Sequence, residues 1–239
     1  MAFSWNGVRE DDFDIHVQAV GKQHPAARIT SDPSPDVAPA WSPDGRYLAF
    51  IRSFGQRGAV FLRSPSGNNG ERHVTDLLLP SLGGPIRPFL AWSPDGKMLA
   101  LMHKNSNDEP FGLFSISFET GIMRRLTSPP PGTVGDTFLA FSPVGEEVAF
   151  IRWSNASASD LYVMNMRTHE ERRLTYDNIW IYGVTWLPNG HKVVLSSGAL
   201  AERLISGALR PVKRNRRSAS LADRVTPAIP SCYVLLGRC

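Results

Sequence analysis

The chain has 239 residues, of which 42% are hydrophobic and 20% charged, so it can bury a core and is not disordered as a whole. Its net charge of +4 comes from residues 201–239, which hold eight Lys or Arg and two acidic residues, so the charge does not mark the rest of the chain as a nucleic-acid binder. Its two cysteines lie in the last eight residues, which excludes a disulfide framework or a Cys-based metal site elsewhere. No run of 18 apolar residues predicts a membrane helix, and the N-terminus shows no signal-peptide pattern.

The first thirty residues predict a partial structural unit of three strands. Residues 2–7 (AFSWNG) read as a second strand, residues 13–20 as a third and residues 28–30 as a fourth. The acidic residues between 10 and 14 lack the spacing of an EF-hand, so we expect a solvated hairpin tip there rather than a calcium site.

From residue 39 onward one motif recurs four times, at 39–52, 90–103, 139–152 and 184–197, with anchor aromatics spaced by 51, 49 and 45 residues. Its complete form is Trp-Ser-Pro-Asp-Gly followed by an apolar strand, and it predicts a tight turn because Pro fixes φ, Asp bonds its own backbone and Gly accepts a positive φ. We interpret the acidic residue as a turn former rather than a metal ligand, because Val144 and Asn189 replace it in two copies. The motif residues are Trp41, Ser42, Pro43, Asp44 and Gly45; Trp92, Ser93, Pro94, Asp95 and Gly96; Phe141, Ser142, Pro143 and Gly145; and Trp186, Pro188, Asn189 and Gly190.

A second motif, of the type Arg-Leu-Thr, keeps the same period at residues 28–30, 73–75, 125–127 and 173–175. Between the two motifs lie further strand-like segments, at 47–51 and 59–63 in the first complete unit and at 147–151 and 160–165 in the third. Strand-rich repeats of 40 to 50 residues are typical of propeller blades. The sequence therefore predicts an all-β chain, a β-propeller of about five four-stranded antiparallel blades, over residues 1–206.

The pattern weakens after Ser197. Residues 207–224 read as a basic segment of low order, and residues 225–239 as a closing strand at 225–229 followed by an aberrant tail. Three interpretations of the end stay open: a disordered basic tail, a shifted reading frame and a functional basic arm. The strand at 225–229 would supply the missing first strand of the first unit and close the ring.

These motifs resemble the TolB-like, WD-repeat-like (PD40) β-propellers over residues 2–197. Segments 6–20, 108–121 and 124–136 are similar to the C-terminal propeller regions of bacterial regulators that carry a winged-helix or Ser/Thr-kinase domain. The resemblance implies a repeat protein of six or more blades, so the chain is expected to be a fragment of a larger bacterial regulator.

No catalytic set is evident. The six histidines show no metal-ligand spacing, and neither a Gly-x-Ser-x-Gly elbow nor a phosphate-binding glycine loop occurs. We therefore expect no catalytic residue, no metal and no cofactor. Trp153, Trp180 and Tyr182 are the candidate partner-binding residues because they fall outside the strand pattern, where exposed aromatics anchor interfaces; packing between blades is the alternative.

The leading hypothesis is a non-catalytic protein- or peptide-binding module without nucleic-acid binding by the propeller itself. Two alternatives stay open. One is the gating propeller of a prolyl oligopeptidase-like serine hydrolase that lacks its catalytic domain, and the other is a stand-alone periplasmic TolB-like partner protein. Oligomeric state and compartment are undetermined; analogy with membrane-tethered regulators implies an extracytoplasmic location, and otherwise a cytoplasmic one.

Overall fold

The computed structural model describes residues 1–7, 12–21, 24–64, 70–80 and 89–197, together with the backbone of 203–206. Throughout these residues the regular structure consists of antiparallel strands, which confirms the all-β prediction. In chain order they are β1 (Ala2–Trp5), β2 (Asp14–Val17), β3 (Ala27–Arg28), β4 (Asp36–Trp41), β5 (Leu48–Phe54), β6 (Arg57–Arg63), β7 (Glu71–Leu78), β8 (Leu90–Trp92), β9 (Met98–His103), β10 (Gly112–Ser117), β11 (Met123–Arg125), β12 (Gly135–Phe141), β13 (Glu147–Asn155), β14 (Ala158–Asn165), β15 (Glu171–Arg173), β16 (Ile181–Trp186), β17 (Lys192–Ser197) and β18 (Arg203–Ser206).

The strands form five successive sheets, each a meander of neighbours in sequence. Blade 1 holds β1–β3, blade 2 β4–β7, blade 3 β8–β11, blade 4 β12–β15 and blade 5 β16–β18. The first strands of blades 2 to 5 pack against one another in order, β4 on β8, β8 on β12 and β12 on β16, so they are the inner strands around a common axis. This arrangement is the predicted β-propeller.

Blades 1 and 5 each show three strands within the described residues. Phe3 pairs with His16 as Phe50 pairs with Phe61, so β1 corresponds to β5, the second strand of a blade. In blade 5, β18 pairs with β17 as a third strand, although the sequence predicts no regular pattern there. The predicted closing strand at 225–229 and the basic segment at 207–224 lie outside the described residues.

The hydrophobic core lies between blades. One cluster joins Ile51 and Val60 of blade 2 to Trp92, Leu101 and Phe114 of blade 3. Each sheet alternates its side chains between two faces, and both faces of a middle blade meet a neighbour. Stability therefore depends on blade-to-blade packing, and each fully buried large apolar side chain contributes about 1.5–3 kcal/mol.

The hairpin between β5 and β6 is tighter than the sequence predicts. Strands β5 and β6 continue to a turn of two residues, Gly55 and Gln56, whereas the predicted strands at 47–51 and 59–63 leave seven residues between them. Gly55 has φ +82°, which the first position of a type II′ turn requires. In a meander of four strands, the loops between second and third strands and the crossovers from one blade to the next lie on the same face of the propeller.

Candidate functional site

The Trp-Ser-Pro-Asp-Gly segments lie at the turns between the first and second strands. The Ser42 hydroxyl donates to Asp44 Oδ1 (2.6 Å) and accepts from the Tyr47 backbone N–H (2.9 Å). Together with a backbone N–H and a neighbouring guanidinium, this hydroxyl lowers the pKa of Asp44 to about 2. Ser93 and Asp95 form the same bonds in blade 3. In both blades the carboxylate, of Asp44 or Asp95, therefore stabilises the turn by accepting hydrogen bonds within it.

The two departures from the motif show what the acidic residue contributes. In blade 4 the replacement is Val144, which is exposed, and the buried Ser142 hydroxyl has no hydrogen-bond partner within the described part of the chain. In blade 5 the Asn189 side chain accepts from the His191 backbone N–H (3.0 Å), as the acidic residues do elsewhere. The turns also hold Pro43, Pro94, Pro143 and Pro188, and their glycines adopt positive φ: Gly45 (70°), Gly96 (72°), Gly145 (98°) and Gly190 (68°).

The anchor tryptophans connect neighbouring blades. Trp92 Nε1 donates to the Ala40 carbonyl of blade 2 (3.1 Å), and Trp186 Nε1 donates to the Ala140 carbonyl of blade 4 (2.9 Å). Both acceptors immediately precede the anchor aromatic of their own blade, Trp41 or Phe141. The motif tryptophan therefore satisfies a carbonyl on the inner strand of the blade before it.

The threonine of the Arg-Leu-Thr motif is buried in three of the four copies; the fourth, Thr75, is half-buried and pairs with Val60 in the β6–β7 ladder. Thr30, Thr127 and Thr175 each accept, at 2.9 Å, a bond from a backbone N–H of the third strand of their own blade. In blade 1 Thr30 also donates to Asp14. The predicted solvated acidic tip is therefore wrong for Asp14, which is buried in β2 and forms a salt bridge with Arg28.

Sequence reasoning missed a buried ionic cluster that occurs in blades 2 and 4. In blade 4 the Arg152 guanidinium donates two bonds to Asp136 (2.6 and 2.8 Å) and one to Glu171 (2.8 Å). Burial raises the pKa of Asp136 above its ordinary value although Arg152 opposes the shift. Blade 2 repeats the cluster with Asp36, Arg52 and Glu71. A repeated spacing in the sequence could have revealed the cluster: in both blades the Arg follows the Asp by 16 residues, and the Glu follows the Arg by 19.

The structure brings the three candidate aromatics together and corrects the prediction for one of them. Trp153 lies inside β13, is 1% exposed and donates from Nε1 to the Thr137 hydroxyl (3.0 Å). It cannot contact a partner, because β13 continues past the predicted strand end and directs this indole into the core. Trp180 and Tyr182 are 36% and 42% exposed.

The three rings form one chain of edge-to-face contacts. Trp153 and Trp180 have ring centroids 5.8 Å apart at 73°, and Trp180 and Tyr182 are 5.8 Å apart at 70°. We call the corner between the two exposed rings, Trp180 and Tyr182, the aromatic notch; Trp153 is its buried base. Offset and edge-to-face rings are the favoured aromatic geometries, so the notch is held in a low-energy arrangement.

Hydrogen bonds fix the crossover that carries Trp180 between blades 4 and 5. The buried Ser159 hydroxyl donates to the Ile179 carbonyl (2.7 Å) and accepts from the Ile181 N–H (3.1 Å), which ties down both neighbours of Trp180. Arg173, at the end of β15 where the crossover begins, forms a salt bridge with Asp160 of β14 (2.6 Å). The indole is therefore presented by a braced backbone rather than by a free loop.

Tyr182 is placed by a β-bulge that differs from those of the other blades. In blades 2 and 4 the inner strand bulges at Ala38 and Phe138, which take positive φ. In blade 5 the register shift lies between Ile181 and Gly183, so Tyr182 is the extra residue and has no pairing partner on β17. Bulges redirect side chains, and this one turns Tyr182 out of the ladder beside Trp180. No sequence pattern marks the shift.

A cavity of about 280 Å³ lies close to the notch, on the same face of the propeller. It is an open depression lined by residues of the β9–β10 loop, between Lys104 and Phe111, and by residues 132–134 of the crossover into blade 4. The Lys104 ammonium sits 4.9 Å from the centre of the Phe111 ring and donates to the Asn107 carbonyl (3.2 Å). Val134 links the cavity to the notch, since its N–H donates to the Trp153 carbonyl (3.1 Å).

Within the described residues no group of three or more His, Cys, Asp or Glu side chains could hold a metal ion. Over the same residues no helix is long and apolar enough to cross a membrane.

Comparison with known proteins places this geometry among the propellers. A 64-residue stretch is 38% identical to the Tol-Pal system protein TolB of Syntrophus aciditrophicus (strain SB), covering 26% of this chain and 14% of that protein. The structure superposes on TolB from Acinetobacter baumannii with a TM-score of 0.65 and 18% identity, over 85% of this chain and 48% of that one. The chain has a TolB-like β-propeller fold. No protein-family model matches the sequence.

Two further structures share the fold. A putative TolB from Agrobacterium tumefaciens gives a TM-score of 0.63 at 17% identity, over 86% of this chain and 70% of that one. A prolyl endopeptidase gives 0.57 at 14% identity, over 81% of this chain and 30% of that one. At such identities the likeness concerns the fold alone. The chain thus spans a seventh of its curated relative and about half of the Acinetobacter TolB.

Proposed function

We propose that this chain is a non-catalytic propeller module that binds a protein or peptide through the aromatic notch. The observation that carries the proposal is the pair of exposed rings, Trp180 and Tyr182, on a buried indole base and a braced crossover. Trp and Tyr are enriched among the residues that contribute most to binding at protein interfaces, and rings that pack on neighbours in the free protein lose less entropy on binding than unconstrained ones. The polar groups of the turn motif and of the ionic clusters form hydrogen bonds and ion pairs within the protein. Among the described residues, the notch is therefore the surface that we assign to recognition.

The wider role that we propose is the sensory or interaction part of a larger bacterial regulator. Support comes from the resemblance of segments 6–20, 108–121 and 124–136 to regulator propellers. The chain also spans only part of the TolB proteins that it resembles. An upstream winged-helix or kinase domain in the flanking coding DNA is the expected finding.

The alternative is the gating propeller of a prolyl oligopeptidase-like hydrolase, which the shared fold with a prolyl endopeptidase favours. It makes a distinct prediction, namely a downstream α/β-hydrolase domain with a Gly-x-Ser-x-Gly elbow. That finding would replace the regulator role.

Selection of random peptides displayed on phage against the immobilised full chain tests the binding proposal directly. Enriched peptides are expected to bind the wild-type chain and to lose at least tenfold in affinity for Trp180→Ala. The matched control is Trp5→Ala, because Trp5 is similarly exposed (41%) and packs edge-to-face on His16 in blade 1, whereas the notch lies at the crossover between blades 4 and 5. Enriched peptides that bind Trp180→Ala as well as wild type would contradict the proposal.

A further inference from the structure

The geometry of the notch points to the conformation of its ligand: we propose that it binds a proline-containing segment in the polyproline II conformation. This inference rests on the proposed function and specifies the class of peptide. It depends on the shape of the notch, on its unused hydrogen-bonding groups and on the charges around it.

The shape favours a rigid, ridged ligand. Trp180 and Tyr182 meet at 70° with centroids 5.8 Å apart, so their faces bound an open corner rather than a flat platform. A polyproline II helix is rigid and projects its pyrrolidine rings outward as ridges. One such ring can therefore pack into the corner against the exposed parts of both aromatic rings.

The notch also offers hydrogen-bonding groups that the protein does not use. Three other indole N–H groups donate to acceptors within the protein: those of Trp92, Trp153 and Trp186. Among the described residues, neither Nε1 of Trp180 nor the Tyr182 hydroxyl has a partner. A polyproline II backbone has no internal hydrogen bonds and exposes its carbonyls, which can accept from these donors.

The ionic groups nearest to the notch are already engaged within the protein. The ionic groups beneath the crossover, Asp160 and Arg173, are paired with each other at 2.6 Å, and Asp177 in the crossover also has a partner. Nothing in this arrangement selects an acidic or a basic segment. Aromatic-lined grooves of this kind recognise proline-rich segments through a conformation that is already ordered before binding.

Isothermal titration calorimetry with defined peptides tests the inference. The probe is an all-proline decapeptide, and the matched probe is a Gly-Ser decapeptide of equal length, both titrated into the full chain. We expect the proline peptide to bind at least tenfold more tightly. Trp180→Ala and Tyr182→Ala should each weaken it at least tenfold, whereas Trp5→Ala should change it less than twofold.

Trp180→Phe keeps the protein testable if the alanine variant does not fold. It retains an aromatic face on Trp153 but removes the N–H donor, and we expect a three- to tenfold loss with an unchanged near-ultraviolet circular dichroism spectrum. Full affinity in Trp180→Phe would show that the indole N–H is not used and would overturn the hydrogen-bonding step.

Three outcomes would overturn the inference itself. These are equal binding of the two decapeptides, proline binding that is insensitive to both alanine variants, and tighter binding at Trp180 of a neutral oligosaccharide such as cellohexaose. The proposed function fails separately. If displayed peptides depend on Trp180 but contain no proline, only the polyproline inference fails, and if no peptide depends on Trp180, both fail.

Discussion

Replacing Arg152 by Met should destabilise the propeller strongly, because it leaves the Asp136 carboxylate buried and unpaired. Asp136 is fully buried, and Arg152 gives it two of its hydrogen bonds at 2.6 and 2.8 Å. Breaking a buried ion pair from one side costs about 3–5 kcal/mol. That is a large part of the roughly 5–15 kcal/mol that stabilises a typical domain.

The loss should depend on pH. Burial raises the pKa of Asp136 even with Arg152 present, and without the guanidinium the pKa in the folded state rises further. The unfolded chain keeps an ordinary aspartate pKa of about 3.9. A raised folded pKa stabilises the folded state only while Asp136 is protonated, so the variant loses stability as the pH rises from about 4 through the folded pKa. The destabilisation should therefore be larger at pH 7 than at pH 4.

Urea denaturation at both pH values measures these free energies of unfolding. The control is the double variant Asp136→Leu with Arg152→Met, which removes both charges and should recover most of the loss, since a buried pair and an apolar replacement differ little. A cost below about 1 kcal/mol for the single variant, or a cost that grows as the pH falls, would refute the buried-pair account.

Three further predictions concern turns and backbone. Val144→Asp should give the Ser142 hydroxyl the acceptor that it lacks and stabilise the chain by about 1 kcal/mol, seen in calorimetry as a rise in Tm of roughly 2–4 °C; an equal rise in Val144→Ala would point to lost apolar exposure instead. Asp44 should titrate near its pKa of about 2 by carboxyl NMR, so its contribution to stability is present above pH 4 and lost as the pH falls through 2; a Ser42→Ala variant that leaves this midpoint unmoved would contradict the assigned cause. Gly135→Ala should cost at least ~1–3 kcal/mol, because φ is +116° and a Cβ there would lie 2.1 Å from a backbone oxygen of blade 3; an unchanged urea midpoint would contradict that close approach.

The fold could be predicted from the sequence because the repeat period and the turn residues depend on local conformational preferences rather than on contacts between distant residues. The Pro, Asp and Gly of the turn motif encode dihedral preferences and local hydrogen bonds, and their recurrence with the Arg-Leu-Thr motif set the blade length. The burial of Thr30, Thr127 and Thr175 explains why that second motif recurs, since each one satisfies a backbone N–H inside the sheet.

The site could be predicted only in part, because it depends on register and on contacts between distant residues. Trp153 reads as a loop aromatic until β13 is seen to continue to Asn155, which turns the indole inward. Asp14 reads as part of an exposed acidic run, yet pairing with Arg28 draws it into the sheet. The bulge that exposes Tyr182 leaves no mark in the sequence, because it is a one-residue offset between two strands.

The most direct test of the central claim uses the indole ¹⁵N–¹H spectrum of the full chain, in which each of the six tryptophans contributes one signal. Single Trp-to-Phe variants assign the signals, and peptides enriched by phage display are then titrated in. If the notch is the binding site, the Trp180 signal shifts progressively while those of Trp5 and Trp92 stay in place. A saturable shift at Trp5 or Trp92 with no change at Trp180 would place the binding surface elsewhere and contradict the account.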